Sequence, residues 1–370
     1  MKDAQDILLK LIRISLWGQG NELLSSAPQW DKILILAKQQ TVLGLVAEAI
    51  PSVPVQFRPD HHTMNRLRSI ATSICRSHSL LNRKVADLKA CLDAHNIRSV
   101  LFKGQGVAIN YPNPLSRQCG DIDMYVGEKY FEKALGILLP DSTNSALKYR
   151  NLKHFNVEQD GVNLEIHRIA EILPGTRKDR LFQKWTVQHL EGNGIAKVEI
   201  GGVSVNLPPH QFNCLYIMNH AWHHFVAGGI GLRQLCDWTM FLHRHHKDID
   251  PLVLKNDLKT FGLTRAWHIF AGVAVEYLGL PADECPLYSG ELSSKSRLLL
   301  DVIWNEGNFG YHSKDRKKRR PAGHFAGKLH SFIIGSQRKV RIFTISPYDV
   351  FLSWLYFFIR GMTNVFVRVK

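Results

Sequence analysis

Apolar residues along the first 95 positions recur at helical spacing. Ile7, Leu8, Leu11, Ile12 and Leu16 share one face, and the pattern resumes from Trp30 to Ala49 after a polar break. Pro51 and Pro54 punctuate the chain. A long amphipathic stretch then runs from about Met64 to Ala94, with Leu80, Val85, Leu88 and Leu92 on its apolar side. The period changes at Arg98. Ser99–Phe102 is a short apolar run closed by Lys103-Gly104-Gln105-Gly106, which predicts a buried strand ending in a glycine turn. Val107–Tyr111 predicts the start of a helix, stopped by Pro112 and Pro114, and Asp121–Val126 alternates with the period of a strand. Lys129–Leu139 reads as a helix. Phe155–Gln159 and Val162–His167 flank Asp160-Gly161, a hairpin signal, and Lys197–Leu207 holds a second strand pair turning at Gly201-Gly202. From Pro208 the pattern is helical again, through Gln211–His224, Leu232–His243 and Leu252–Leu278. The expected class is α+β. A small mixed-sheet core at 96–207 lies between an N-terminal helical region at 1–95 and a C-terminal helical region with a basic tail at 208–370.

Composition adds one constraint. A hydrophobic fraction of 45% and a charged fraction of 21% over 370 residues describe a globular chain, but the net charge of +15 favours polyanions: nucleotides, nucleic acid or an anionic membrane surface. From Asp301 onward 13 Lys/Arg face four Asp/Glu, and Lys314–Arg320 is the densest run. Such a run is either a solvated loop or a contact for an anionic acceptor or membrane surface. Val350–Ile359 is the most apolar segment, yet Arg360 ends it after ten residues, too few to span a bilayer. It is expected to pack on the core or to lie on a membrane beside the basic run. Six scattered cysteines form neither a disulfide framework nor a zinc pattern, and charges interrupt the apolar N-terminus. A reducing, cytoplasmic location is expected.

The chemistry concentrates at Gly120-Asp121-Ile122-Asp123. On a strand, residues i and i+2 emerge side by side, so two carboxylates repel unless a cation lies between them. Mg²⁺ is such a cation, bound typically by one or two carboxylates and substrate phosphates. If the two acids merely repel, Asp123→Asn leaves the metal-free fold as stable or slightly more so. Lys103-Gly104-Gln105-Gly106, a strand-to-helix turn, offers backbone amides to phosphate. Asn163-Leu164-Glu165-Ile166-His167 supplies a third acid on another alternating strand.

In combination these pieces resemble the polymerase-β-type nucleotidyltransferases, and within them a bacterial family of uncharacterised nucleotidyltransferases. Phe102-Lys103-Gly104, Tyr111-Pro112, Arg117, Asp121-Ile122-Asp123 and Leu164-Glu165-Ile166-His167 follow that family's order. Leu207-Pro208-Pro209, His220 to His224 and Leu232-Arg233 to Asp237 extend the similarity over most of residues 5–280. The resemblance implies that 96–207 is a nucleotidyltransferase core in which Asp121, Asp123 and Glu165 are the catalytic acids and hold Mg²⁺ or Mn²⁺. It implies a nucleoside triphosphate as donor, with Lys103, Gly104, Gly106 and Arg117 at its phosphates. Relatives that look like parts of envelope-polysaccharide gene sets imply a saccharide acceptor; a small molecule or a protein is also open, and nucleic acid fits less well. One departure stands out. The wider superfamily places Gly-Gly or Gly-Ser after the strand, so Lys103 takes the place of the phosphate-binding serine.

Several residues keep two readings. Arg117 either meets phosphate or pairs with an active-site carboxylate. His167 binds substrate, orients Glu165 or sits half-buried with its bonds satisfied. His220 and His224, four apart on a helix, line substrate or pack; a zinc site would need a third ligand. Arg233 and Asp237 have the spacing of a helical ion pair, and Arg233 is otherwise a substrate-lining residue. The alternatives to a transferase are a silent nucleotide- or partner-binding protein on the same fold, and an enzyme that extends nucleic acid.

Overall fold

The computed structural model describes residues 2–18, 27–139, 153–192, 194–313 and 324–366. Four helices open it: α1 (Lys2–Trp17), α2 (Trp30–Gln39), α3 (Leu43–Ala49) and α4 (His61–Ala94). Asp60 caps α4 by accepting the Thr63 amide, which satisfies one of the donors that a helix N-terminus leaves open. The apolar side of α4 runs through Leu81, Val85, Leu88 and Leu92; Leu80, placed there by spacing, is exposed.

The α/β part follows with β1 (Val100–Phe102), α5 (Gly104–Ala108), β2 (Asp121–Tyr125), α6 (Gly127–Leu138), β3 (His154–Gln159) and β4 (Val162–His167). The sheet order is β1-β2-β4-β3, with β2 and β4 parallel and the two outer pairings antiparallel. The sheet is therefore mixed, and β2 is an inner strand, as its apolar Ile122 and Met124 require. Helix α7 (Thr176–Leu190), which its polar, weakly periodic sequence conceals, leads to the hairpin β5 (Ala196–Ile200) and β6 (Val203–Leu207).

The C-terminal part comprises α8 (His210–Ala227), α9 (Leu232–His245), α10 (Pro251–Phe261), α11 (Thr264–Glu276), α12 (Ser293–Glu306), α13 (His324–Ile342) and α14 (Pro347–Phe366). The single helix expected from Leu252 to Leu278 is two helices, because Gly262 adopts a left-handed φ of 74° and caps α10. First and last helices share one apolar core. Trp17 Nε1 donates to Leu278 O at 2.7 Å, and Gln40 Nε2 donates to Ile303 O at 2.9 Å across it. A second apolar cluster lies beneath the sheet.

Lys314–Arg320 lies outside the described residues. Downstream, α14 buries Val350 and holds Trp222 Nε1 by Asp349 at 3.2 Å, while Phe351, Leu355, Tyr356 and Phe358 face outward. No described helix is long and apolar enough to cross a membrane. The six cysteines are free thiols.

Buried Lys339 of α13 donates to Val226 O and to Ser353 Oγ. Burial, then the charge of Arg338, pull its ammonium from 10.5 down to about 7. The unfolded chain therefore binds this proton more tightly between pH 7 and 10.5, so stability should rise with pH across that window. Urea unfolding at pH 7 and 9 checks this: wild type should gain stability relative to Lys339→Met. Parallel behaviour of the two proteins would refute it.

Candidate active site

Asp121 and Asp123 share a face of β2, and the register with β4 sets Asn163 opposite Asp121 and Glu165 opposite Asp123. Cross-strand partners point to the same side, so the three acids line one face of the sheet. On the other flank β1 sets Phe102 opposite Asp123, and Lys103 follows at once. Lys103 Nζ lies 2.9 Å from Asp123 Oδ1. His167 Nε2 donates to the same oxygen at 2.9 Å and lies 3.5 Å from Glu165 Oε2. Burial works against the Asp123 charge, but Lys103 and His167 outweigh it and hold its carboxyl well below the usual range. Asp121 behaves oppositely: burial and then the charge of Asp123 raise its carboxyl. The acid cluster thus carries more negative charge than its one ammonium relieves.

Lys103 adopts φ 44° and ψ −140°, a region that residues with a Cβ avoid, at a cost of about 1–3 kcal/mol. The strain places its ammonium between Asp123 and His220 Nε2, 3.2 Å away. An ammonium only donates, so His220 Nε2 accepts and its proton sits on Nδ1, directed at Glu171 Oε2 at 3.2 Å. Lys153 closes the chain with 2.7 Å to Glu171 Oε1. Burial opposes the Glu171 charge, but Lys153 and His220 keep it well below the carboxylate range. Burial and the Lys103 charge push His220 well down, and the same two causes bring His224 to about 4. Both imidazoles are therefore neutral at pH 7. With both His220 nitrogens engaged, and no third ligand converging on the pair among the described residues, the zinc reading of His220 and His224 falls away.

The two arginines exchange the partners expected from spacing. Asp237 is held by Arg117, not by Arg233: Nε donates to Oδ1 at 2.9 Å and Nη2 to Oδ2 at 2.7 Å, with Tyr111 Oη adding 2.8 Å to Oδ1. Arg117 also reaches Cys119 Sγ at 2.9 Å, so each of its three nitrogens has a protein partner. Arg233 donates Nη1 to Gln118 O at 2.8 Å and leaves its buried Nε without a protein acceptor. That Nε is a donor open to an anion in the cleft. Gly106 has a packing role of its own. A Cβ there would lie 2.7 Å from Leu207 Cδ2, so its smallness serves the packing of α5 on β6.

A half-open cleft runs from the sheet to the helices. Of the residues singled out by sequence, Lys103, Gly104, Arg117, Asp121, Asp123, His220, His224 and Arg233 line it; Glu165, His167 and Gly106 do not. The profile of a protein family described as uncharacterised nucleotidyltransferase matches residues 26–279. The chain belongs to this family. Membership supports nucleotidyl transfer as its general function and divalent metals as the usual requirement. Neither the curated proteins nor the solved structures contain a significant match to the chain.

The carboxylates of the sheet face are donors of the kind a divalent cation takes. At the sheet face, among the described residues, the group whose ligand atoms all converge within 4.8 Å is His154, Glu165 and His167, not the acid trio. Lys103 and His167 hold Asp123, and Glu165 turns toward the two imidazoles. His154 Nδ1, His167 Nδ1 and the Tyr216 hydroxyl are buried without partners, so the polar capacity of this site exceeds what the protein satisfies. Sequence reasoning missed His154, Glu171, Lys153 and Phe309. The first three lie on or beside the β3–β4 hairpin, and the extended run read from sequence began one residue after His154, at Phe155. Phe309 comes from the turn after α12 and has no sequence signal; it lines the cleft with its ring 5.5 Å from His224.

Proposed function

We propose that the chain moves a nucleoside monophosphate from a nucleoside triphosphate to a hydroxyl of a small-molecule, saccharide or protein acceptor, with Asp121, Asp123 and Glu165 holding Mg²⁺ or Mn²⁺. The observation that carries this reading is the Lys103 ammonium seated 2.9 Å from Asp123 amid three acids on one sheet face. It stands in for cationic charge that the cluster requires. A hard divalent ion supplies the rest when bound, neutralising phosphate charge and acidifying the attacking hydroxyl.

The protein's share is positioning and electrostatics. Neutral His220 accepts from Lys103 and fixes where that ammonium points, while Glu171 fixes the His220 tautomer. Lys103 and Arg233 then face the triphosphate from the cleft floor and wall. Glu165, kept ionised by His167 against burial, takes the acceptor proton. Arg117 and Asp237 hold the loop before β2 in place. The outward apolar residues of α14, with the basic run before α13, favour peripheral contact with anionic membrane, which vesicle sedimentation at rising salt would report.

Thermal shift tests the main reading. A nucleoside triphosphate with Mg²⁺ at one hundred times its Kd should add about 2.7 kcal/mol of stability. Either component alone should add much less. Stabilisation by the nucleotide that survives EDTA unchanged would refute the metal role.

A further inference from the structure

Where the start of α8 meets the end of α9, His210, His245 and Asp248 each bring one ligand atom within 4.8 Å of the others. His210 Nδ1 lies 2.9 Å, and His245 Nδ1 3.3 Å, from the same oxygen, Asp248 Oδ2. The two rings stack with centroids 3.8 Å apart and planes at 29°.

Asn110 decides where the protons are. Its Nδ2 donates to Val107 O at 3.0 Å, which turns its Oδ1 toward His245 Nε2, also at 3.0 Å. That nitrogen must therefore donate. A neutral His245 then aims the lone pair of Nδ1 at a carboxylate oxygen, a repulsive contact unless a positive charge lies between them. A proton there would make an imidazolium stacked on a second ring that serves the same carboxylate. A metal ion answers the geometry better, since it uses all three converging atoms at once. The Asn110 contact is also what metal-bound histidines generally have: an acceptor on the other ring nitrogen that fixes tautomer and ring plane.

We propose that His210, His245 and Asp248 form a binding site for a divalent transition metal of the Zn²⁺ type, separate from the acids of the sheet. Two imidazoles and one carboxylate suit Zn²⁺ and Co²⁺ and disfavour Mg²⁺, which demands oxygen ligands. The ion ties the first turn of α8 to the last turn of α9. Those helices carry His220, His224, Arg233 and Asp237, so the ion braces two walls of the cleft from their far ends.

The full chain, stripped with chelator and titrated with Co²⁺, should bind one equivalent with the visible absorbance of a four-coordinate site. Zn²⁺ should displace it. His210→Ala and His245→Ala should abolish the band, and Asp248→Asn, on an exposed turn, should weaken binding about tenfold or more. Glu165→Gln, which disrupts the histidine-containing group on the sheet, should leave the band intact. Circular dichroism of the chelated Asp248→Asn protein should match wild type, separating ligand loss from misfolding. Absence of the band in wild type, its persistence in both alanine variants, or its loss in Glu165→Gln alone would overturn the assignment.

Discussion

Asp121→Asn is expected to lower metal-dependent nucleotidyl transfer by about 10³-fold while leaving the metal-free fold at least as stable as wild type. Burial and the neighbouring Asp123 charge already raise the Asp121 carboxyl, so the native protein holds that charge reluctantly. Removing it relieves repulsion. Asp123→Asn should abolish transfer as completely but destabilise the fold, because Lys103 and His167 both lose a buried anionic partner. This reverses the expectation from sequence, in which either acid was only a source of repulsion. Single-turnover transfer rates and urea midpoints of the two variants check the pair. Equal stability changes would show that Lys103 does not discriminate between the acids.

Asp237→Ala should cost about 3–5 kcal/mol of unfolding free energy, the usual consequence of stranding one member of a buried ion pair. Arg117 and Asp237 are both buried, and Tyr111 donates to the same carboxylate. Urea denaturation measures the loss. The double replacement Arg117→Met with Asp237→Leu should recover much of it, since no charge is then left unpaired. A single-variant loss below about 1 kcal/mol would mean that water reaches Arg117 and that the pair behaves as a surface one.

Strands β2, β3 and β4 and the hairpin β5–β6 were legible because period two survives wherever one face is buried. That Asp121 and Asp123 share a face of β2 was legible on the same ground, whereas the register that sets Glu165 opposite Asp123 was not. Three other features were not legible. Spacing along α9 pairs Arg233 with Asp237, but Arg117, distant in sequence, offers Asp237 a two-point fork in a buried setting, and the tertiary partner wins. Glu171 lies just past a strand end, where alternation has stopped, so nothing local marks it as the anchor of His220. Gly106 has the composition of a phosphate loop, whereas its contact is with Leu207, a partner that only the folded chain brings near.

Phe309 holds φ 52° and ψ 21°, a conformation that glycine would adopt freely, and it lies beyond residues 26–279, over which the family profile runs. The cleft is therefore lined from both inside and outside the matched span. Its acids and cations sit within the matched residues, and one aromatic wall is contributed by a segment that follows them. Replacing a half-exposed phenylalanine there with glycine would relax the backbone. Phe309→Gly would thus remove one aromatic wall of the cleft while leaving every acid that lines it in place.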